Sequence, residues 1–323
     1  MTRFERIAPA GCELPALRMP SRSGETLAEA APRLRAEIDT LLATVGGVLL
    51  RGFQVPSVEA FRAFAASFGH PLLGYEFGST PRSQVGGGVY TSTEYPADQH
   101  IPLHNEQAYT REWPMKIWFH CVTAAPEGGE TPIADSRAIW RQMPDAIRRR
   151  FAPGVLYVRN YGEFDVPWQQ VFNTDRRADV EAWCTRSGVR FEWKPDGNLR
   201  TTQLCQATAV HPRTGETVWF NQAHLFHASN LPPEVRESLL ELLGPDRMPR
   251  TTCFADGTPM PDALLDEVRA VLAAETVSFR WEAGDVLMLD NMLAAHARAP
   301  FQGPRKVVVA MAEAHGSHPE PTP

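Results

Sequence analysis

The chain reads as a mainly β protein with flanking helices, a double-sheet sandwich or jelly roll. Two observations predict that class. Short runs rich in β-branched and aromatic residues recur between Gly- and Pro-containing turns, with helical stretches inserted among them or lying outside. The last third returns to such runs without the regular strand–helix alternation that a parallel α/β sheet demands.

Residues 1–25 contain Pro9, Pro15 and Pro20 and predict irregular structure. Over 26–45 the pattern is helical, with Pro32 in the first turns and Gly46-Gly47 as a stop. Val48-Leu49-Leu50-Arg51-Gly52-Phe53 predicts a buried strand. Ser57 can cap a second helix, whose apolar residues Val58, Phe61, Phe64, Ala65 and Phe68 recur at helical spacing before Gly69. Gly86-Gly87-Gly88 opens a loop-rich stretch that runs to His104. It lacks the Lys-Ser/Thr of a phosphate-binding loop, so backbone freedom is its expected role. A strand is expected over 116–122, a helix capped at Asp135-Ser136 through Met143, and another over 145–151. Further strands are expected at 155–159, 189–193, 207–211 and 216–220, with helices at 178–187, 233–243 and 261–273. Closing strands follow at 276–281, 285–290 and 306–312. Residues 1–315 are expected to form a single domain with inserted helical segments, and 316–323, with three prolines, a disordered tail.

The 323 residues are 43% hydrophobic and 22% charged, an ordinary globular balance with length enough for a large core. The formal net charge of -6 argues against a nucleic-acid binder, which would carry a basic footprint. No run approaches the ~18 apolar residues of a membrane span. The N-terminal residues show no apolar leader, so the protein is read as cytoplasmic. Five scattered cysteines (Cys12, Cys121, Cys184, Cys205, Cys253) without a C-x-x-C indicate neither a disulfide framework nor a zinc ribbon.

Chemistry concentrates in two distant segments. In Ile101-Pro102-Leu103-His104-Asn105-Glu106, the i, i+2 spacing of His104 and Glu106 puts both side chains on one face of an extended segment, with Asn105 pointing away. His296, arriving on another strand, would complete two imidazoles and one carboxylate. That is the facial ligand set of non-haem Fe(II) oxygenases, and the absence of a thiolate argues against structural zinc. His224 and His227 form a rival pair, i, i+3 on a helix, but no Glu is placed as in H-E-x-x-H.

Arg305 lies nine positions after His296 and just before the apolar run Val307-Val308-Val309-Ala310-Met311. A guanidinium on a core strand requires an anion. A dicarboxylic acid chelating iron at one end would supply it at the other, bound bidentately. Thr131, in Gly128-Gly129-Glu130-Thr131-Pro132, could add a hydroxyl donor. Arg298, two residues after His296, is a candidate for a substrate carboxylate. Asn221, His224 and the loop from Tyr90 to Glu94 are further substrate candidates.

His104-x-Glu106, Gly128-Gly129-Glu130-Thr131, Gly284-Asp285 ahead of His296, and Pro304-Arg305 occur in an order that resembles the taurine dioxygenase-like (TauD/TfdA) family of Fe(II)/2-oxoglutarate-dependent dioxygenases. The segments Leu103-His104-Asn105-Glu106, Trp219-Phe220-Asn221-Gln222-Ala223-His224 and Gly303-Pro304-Arg305 resemble its SyrP-like branch, and the likeness spans roughly residues 45–313. The resemblance implies a double-stranded β-helix core. It implies iron ligation by His104, Glu106 and His296, and 2-oxoglutarate binding by Arg305 and Thr131. It further implies consumption of O2, release of succinate and CO2, and hydroxylation of an amino acid, free or tethered to a carrier protein, in secondary metabolism. Many family members have Asp where this chain has Glu106, and related halogenases have a small residue there, so Glu106 argues against halogenation.

Three alternatives stay open at this point. The same centre could run desaturation, epoxidation or another oxidative rearrangement. A non-catalytic metal-binding β-sandwich would consume no 2-oxoglutarate. A zinc hydrolase would use His224 and His227. Arg137, Arg141, Arg148, Arg149 and Arg150 read as a solvated helical face, with docking of an acidic carrier protein as the competing reading. A homo-oligomer is compatible with the sequence.

Overall fold

A computed structural model describes residues 4–74, 84–91, 95–162 and 164–316. Two antiparallel-rich sheets face each other across the main core. The larger has the strand order Ala16–Arg18, Gly47–Leu50, Val286–Asp290, Glu112–Thr123, Lys306–Gly316, Val89–Thr91, Gln84–Gly86. Its neighbours are antiparallel except the first pair, which is parallel. The smaller has the order Thr276–Val277, Ile133–Asp135, Ala294–Arg298, Ile101–His104, antiparallel throughout.

Alternation along the large sheet decides what lies on each side. Ile117, Phe119, Leu287, Leu289, Val307 and Val309 point inward and cluster with Ile133, Val277 and Ala294 of the small sheet. Trp118, Val286, Met288, Val308 and Ala310 point outward against Leu34, Ile38 and Leu42 of the helix Leu27–Val45 and Phe61 and Phe64 of the helix Val58–Ala66. A sheet covered on both faces reads in sequence as continuous apolar runs. Each fully buried Leu, Ile or Phe contributes about 1.5–3 kcal/mol.

The helix boundaries follow from their caps. Thr26 and Glu29 form a capping box, and Gly46 ends that helix in the left-handed region at φ 91. Ser57 accepts from Ala60 N, and Asp135 from Arg137 N and Ala138 N. A third sheet, Arg190–Trp193, Leu199–Cys205, Val155–Asn160, Arg250–Phe254, carries the middle of the chain. Among the described residues no helix is long and apolar enough to cross a membrane.

The structure departs from the sequence reading in several places, among them the following. Ala16–Arg18, expected to be irregular, is a strand beside Gly47–Leu50. Leu199–Cys205 and Arg250–Phe254, rich in Thr and Arg, form strands that apolar patterning did not announce. The strand expected over 276–281 stops at Val277, although Phe279 and Trp281 remain buried in the core. Gly316, placed in the tail, is the last residue of the Lys306–Gly316 strand, and 317–323 lie outside the described residues.

Candidate metal centre and co-substrate pocket

The small sheet brings the two distant segments together. Ala294–Arg298 pairs antiparallel with Ile101–His104, and His296 is the direct cross-strand partner of His104. Their rings lie 4.4 Å apart between centroids, with Phe119 of the opposite sheet 5.0 Å from His296. The ladder ends at His104, and Glu106 lies just beyond it, buried, with Oε2 3.7 Å from His296 Nε2. One ligand atom from each of His104, Glu106 and His296 falls within 4.8 Å of the others. No second group of three such residues gathers among the described residues. His104 Nδ1 donates to Pro102 O at 2.8 Å, which fixes the tautomer with the proton on Nδ1 and the lone pair on Nε2. The donor set fits Fe(II): two imidazoles of intermediate softness, one hard carboxylate and no thiolate.

The His224/His227 pair does not form a rival site. His224 is buried in the short helix Ala223–Phe226 and its Nε2 donates to Leu103 O at 2.9 Å. Burial pushes its pKa down to about 4, so the imidazole is neutral and braces the strand carrying His104. His227 instead accepts from Ser229 N as the cap of the following turn. Asn221 donates to Ala207 O and accepts from Ala223 N, which uses its amide within the loop. Asn105 does point away from the ligands, donating to Ser136 Oγ and Asn291 O. Gln222 and Asn291, which sequence reasoning missed, hold the same segment. Gln222 donates to Asn105 O, and Asn291 bonds both the N–H and the C=O of Glu106.

A second pairing positions the segments that carry Arg305 and Thr131, the residues expected to bind co-substrate. Glu127–Gly128 runs antiparallel to Phe301–Gln302, and Gly129 N, Ala299 N and Ala297 N extend the contact to Pro300 O, Glu130 O and Pro132 O. Arg305 Nε donates to Gly129 O at 2.8 Å. A Cβ on Gly129 would meet Arg305 Cδ at 2.9 Å, and one on Gly128 would meet Pro300 O at 2.2 Å. Both glycines have φ near +70, at +67 and +74, so the Gly-Gly pair is what lets the guanidinium lie against the backbone. Burial, then the nearby Arg298, lowers the Arg305 pKa to about 10. A site that disfavours its own cation in this way is prepared for an anion. Thr131 is buried, and its Oγ1 accepts from Trp281 Nε1 at 3.1 Å, leaving the hydroxyl proton to be donated elsewhere.

Arg298 takes another position than the sequence suggested. A register shift separates it from His296, and its two Nη groups donate to Tyr95 O, Pro96 O and Gln99 O. It therefore anchors the loop that leads into Ile101–His104, and its Nε is buried with no hydrogen-bond partner. Tyr90 pairs with Val309, which pairs with Phe119, so these three share one row on the inner face of the large sheet, and Phe119 touches His296. Residues 92–94 of the expected substrate loop lie outside the described residues.

A cluster of two histidines and one carboxylate, with His104 half-buried and Glu106 and His296 buried, set between the two facing sheets, has the donor set of a mononuclear non-haem iron oxygenase. The match of residues 14–311 to the family described as taurine catabolism dioxygenase TauD, TfdA family, makes this chain a member of that family. It is 41% identical over 276 residues to the dapdiamide synthesis protein DdaC of Enterobacter agglomerans, covering 85% of this chain and 84% of that one. It is 32% identical over 318 residues to a clavaminate synthase-like protein of Arabidopsis thaliana, covering 94% and 92%. The fold matches the crystal structure of PvcB from Pseudomonas aeruginosa with a TM-score of 0.53 at 18% identity, covering 92% of this chain and 84% of that one. It also matches AAD-2, solved with Mn(II) and N-oxalylglycine, with a TM-score of 0.56 at 13% identity, covering 98% and 99%. The protein is an Fe(II)/2-oxoglutarate-dependent dioxygenase that requires Fe(II), 2-oxoglutarate and O2. This removes the non-catalytic sandwich as a reading.

Proposed function

We propose that the enzyme hydroxylates an unactivated carbon of an amino-acid-like small molecule in a biosynthetic route of secondary metabolism, on a double-stranded β-helix core formed by the two facing sheets. The observation that carries this reading is the His104–His296 cross-strand pair with Glu106 closing on it. The similarity to a dapdiamide synthesis protein and a clavaminate synthase-like protein supports the substrate class.

In this reading His104, Glu106 and His296 hold the iron, and Arg305 and Thr131 receive the far carboxylate of 2-oxoglutarate. Bound together, iron and 2-oxoglutarate supply oxygen activation, with oxidative decarboxylation to succinate and CO2 driving oxygen insertion into a C–H bond. The protein contributes position and dryness. Pro102 O fixes the His104 tautomer, Trp281 orients the Thr131 hydroxyl, and the apolar wall of Phe119 and Val309 keeps water from the reacting carbon. Tyr90, half-buried on that wall, would contact substrate. As a metal ligand, Glu106 would take the position a halide would need. Arg137, Arg148 and Arg150 each pair with an acid of this chain, Asp135 or Glu216, Asp145 and Asp256. This favours a free small molecule over a carrier-tethered one.

Aerobic incubation with Fe(II), 2-oxoglutarate and a panel of free amino acids tests the reading. One or more should gain a single oxygen atom with stoichiometric succinate. Products that lose two hydrogens or gain chlorine instead would contradict it.

A further inference from the structure

The strand carrying His104 ends before it reaches Glu106, so the ladder does not hold the carboxylate ligand. The next residue, Gln107, has φ 57, a left-handed conformation that costs energy in a non-glycine residue and persists only where the surroundings impose it. Asn291 imposes it. Its Oδ1 accepts from Glu106 N at 2.7 Å, and its Nδ2 donates to Glu106 O at 3.0 Å and to Pro114 O at 2.8 Å. One side-chain amide thus satisfies both backbone groups of the ligand residue, as a neighbouring strand would.

Asn291 is itself immobile. Its N–H donates to Met115 O and its C=O accepts from Asn105 Nδ2, and the residue is 0% exposed. Asp290 beside it caps Met292 N and Leu293 N and bonds His211 Nε2 at 3.0 Å. This braced turn leads directly into the strand Ala294–Arg298, so Asn291 lies five residues before His296 while gripping Glu106.

We propose that Asn291 is the positioning residue of the metal centre, fixing the Glu106 carboxylate relative to His296 by clamping the Glu106 peptide unit. The inference rests on the assignment of His104, Glu106 and His296 as the metal ligands. The clamp needs an acceptor and a donor on one planar group. Asparagine provides both, and alanine or serine cannot span the three partners.

Anaerobic titration with Co(II), followed by its visible absorption, tests the proposal on the wild type, Asn291→Ala and Ile38→Ala. Ile38 lies in the outer helix layer, away from the ligands, and its truncation supplies a matched loss of stability. Asn291→Ala should weaken Co(II) binding 10–100-fold, the range for residues supporting metal ligands, and alter the band positions. Ile38→Ala should lower the melting temperature with affinity and bands unchanged. If Asn291→Ala does not fold, Asn291→Ser is read in the same way. Wild-type affinity and bands in the Asn291 variant, or equal loss in Ile38→Ala, would overturn the proposal while leaving the ligand assignment intact. A wild type that binds no Co(II) would overturn the ligand assignment and the proposal with it.

Discussion

In the large sheet, Glu112–Thr123 lies between Val286–Asp290 and Lys306–Gly316, and its backbone polar groups are met by regular ladders on both sides. In residues 103–106 side chains meet much of the same need. His224 takes Leu103 O, Gln222 takes Asn105 O, and Asn291 takes both groups of Glu106. The first arrangement is repetitive and tolerant, because neighbouring pairs share the load. The second is specific, because each bond depends on one residue from a distant part of the chain. Stability and metal geometry should therefore be separable by mutation.

The largest effect should come from the ligands themselves. His296→Ala should lower 2-oxoglutarate turnover at least about 100-fold, beyond what outer residues of metal sites typically cost, with little change in melting temperature. A melting temperature that collapses with the activity would blur the contrast. The helix layer packed on the large sheet should show the opposite behaviour. Ile38→Ala should cost about 2–5 kcal/mol through the cavity it leaves, seen in denaturant unfolding, with KM for 2-oxoglutarate unchanged.

The bracing histidine makes a pH prediction. Burial lowers the His224 pKa from 6.5 to about 4. Between those values the unfolded chain binds a proton that the folded chain refuses. Stability therefore falls as pH drops from about 6.5 towards 4 and levels off below. A shift of that size corresponds to roughly 3 kcal/mol. His224→Gln keeps a donor for Leu103 O and should flatten the fall of melting temperature over that window. His100, His120 and His227, also lowered chiefly by desolvation, should leave a residual slope. An unchanged slope in His224→Gln would assign the dependence to them.

The smallest effect should come from the Gly-Gly pair. Gly129→Ala forces a side chain into a left-handed position against Arg305 Cδ, and should cost about 1 kcal/mol or slightly more. It should raise KM for 2-oxoglutarate several-fold with kcat nearly constant. If kcat falls and KM does not, Arg305 lies elsewhere in the working enzyme.

The same contrast explains what the sequence made legible. Apolar runs and caps announce themselves locally, so the helices beginning at Leu27, Val58 and Ser136 and the strands through Ile117, Leu287 and Val308 were readable. The triad was readable because His104 and Glu106 are close in sequence and their chemistry is restrictive. The clamp was not, because Asn291 and Gln222 bond to backbone atoms, which carry no residue-specific signal. Arg298 was misplaced for the same reason. Its partners are three carbonyls in the 95–99 loop, and a bulge turns it away from the His296 register. Leu199–Cys205 and Arg250–Phe254 were missed because threonines fill inward positions that apolar patterning would assign to aliphatic residues.

The central claim is that the His104–Glu106–His296 cluster and Arg305 bind opposite ends of one 2-oxoglutarate molecule. Its most direct test is anaerobic addition of Fe(II) and 2-oxoglutarate, followed by visible absorption. The wild type should develop a weak metal-to-ligand charge-transfer band, His296→Ala should lose it, and Arg305→Ala should require far more 2-oxoglutarate to reach it. No band in the wild type, or a band in Arg305→Ala saturating at the wild-type concentration, would contradict the account.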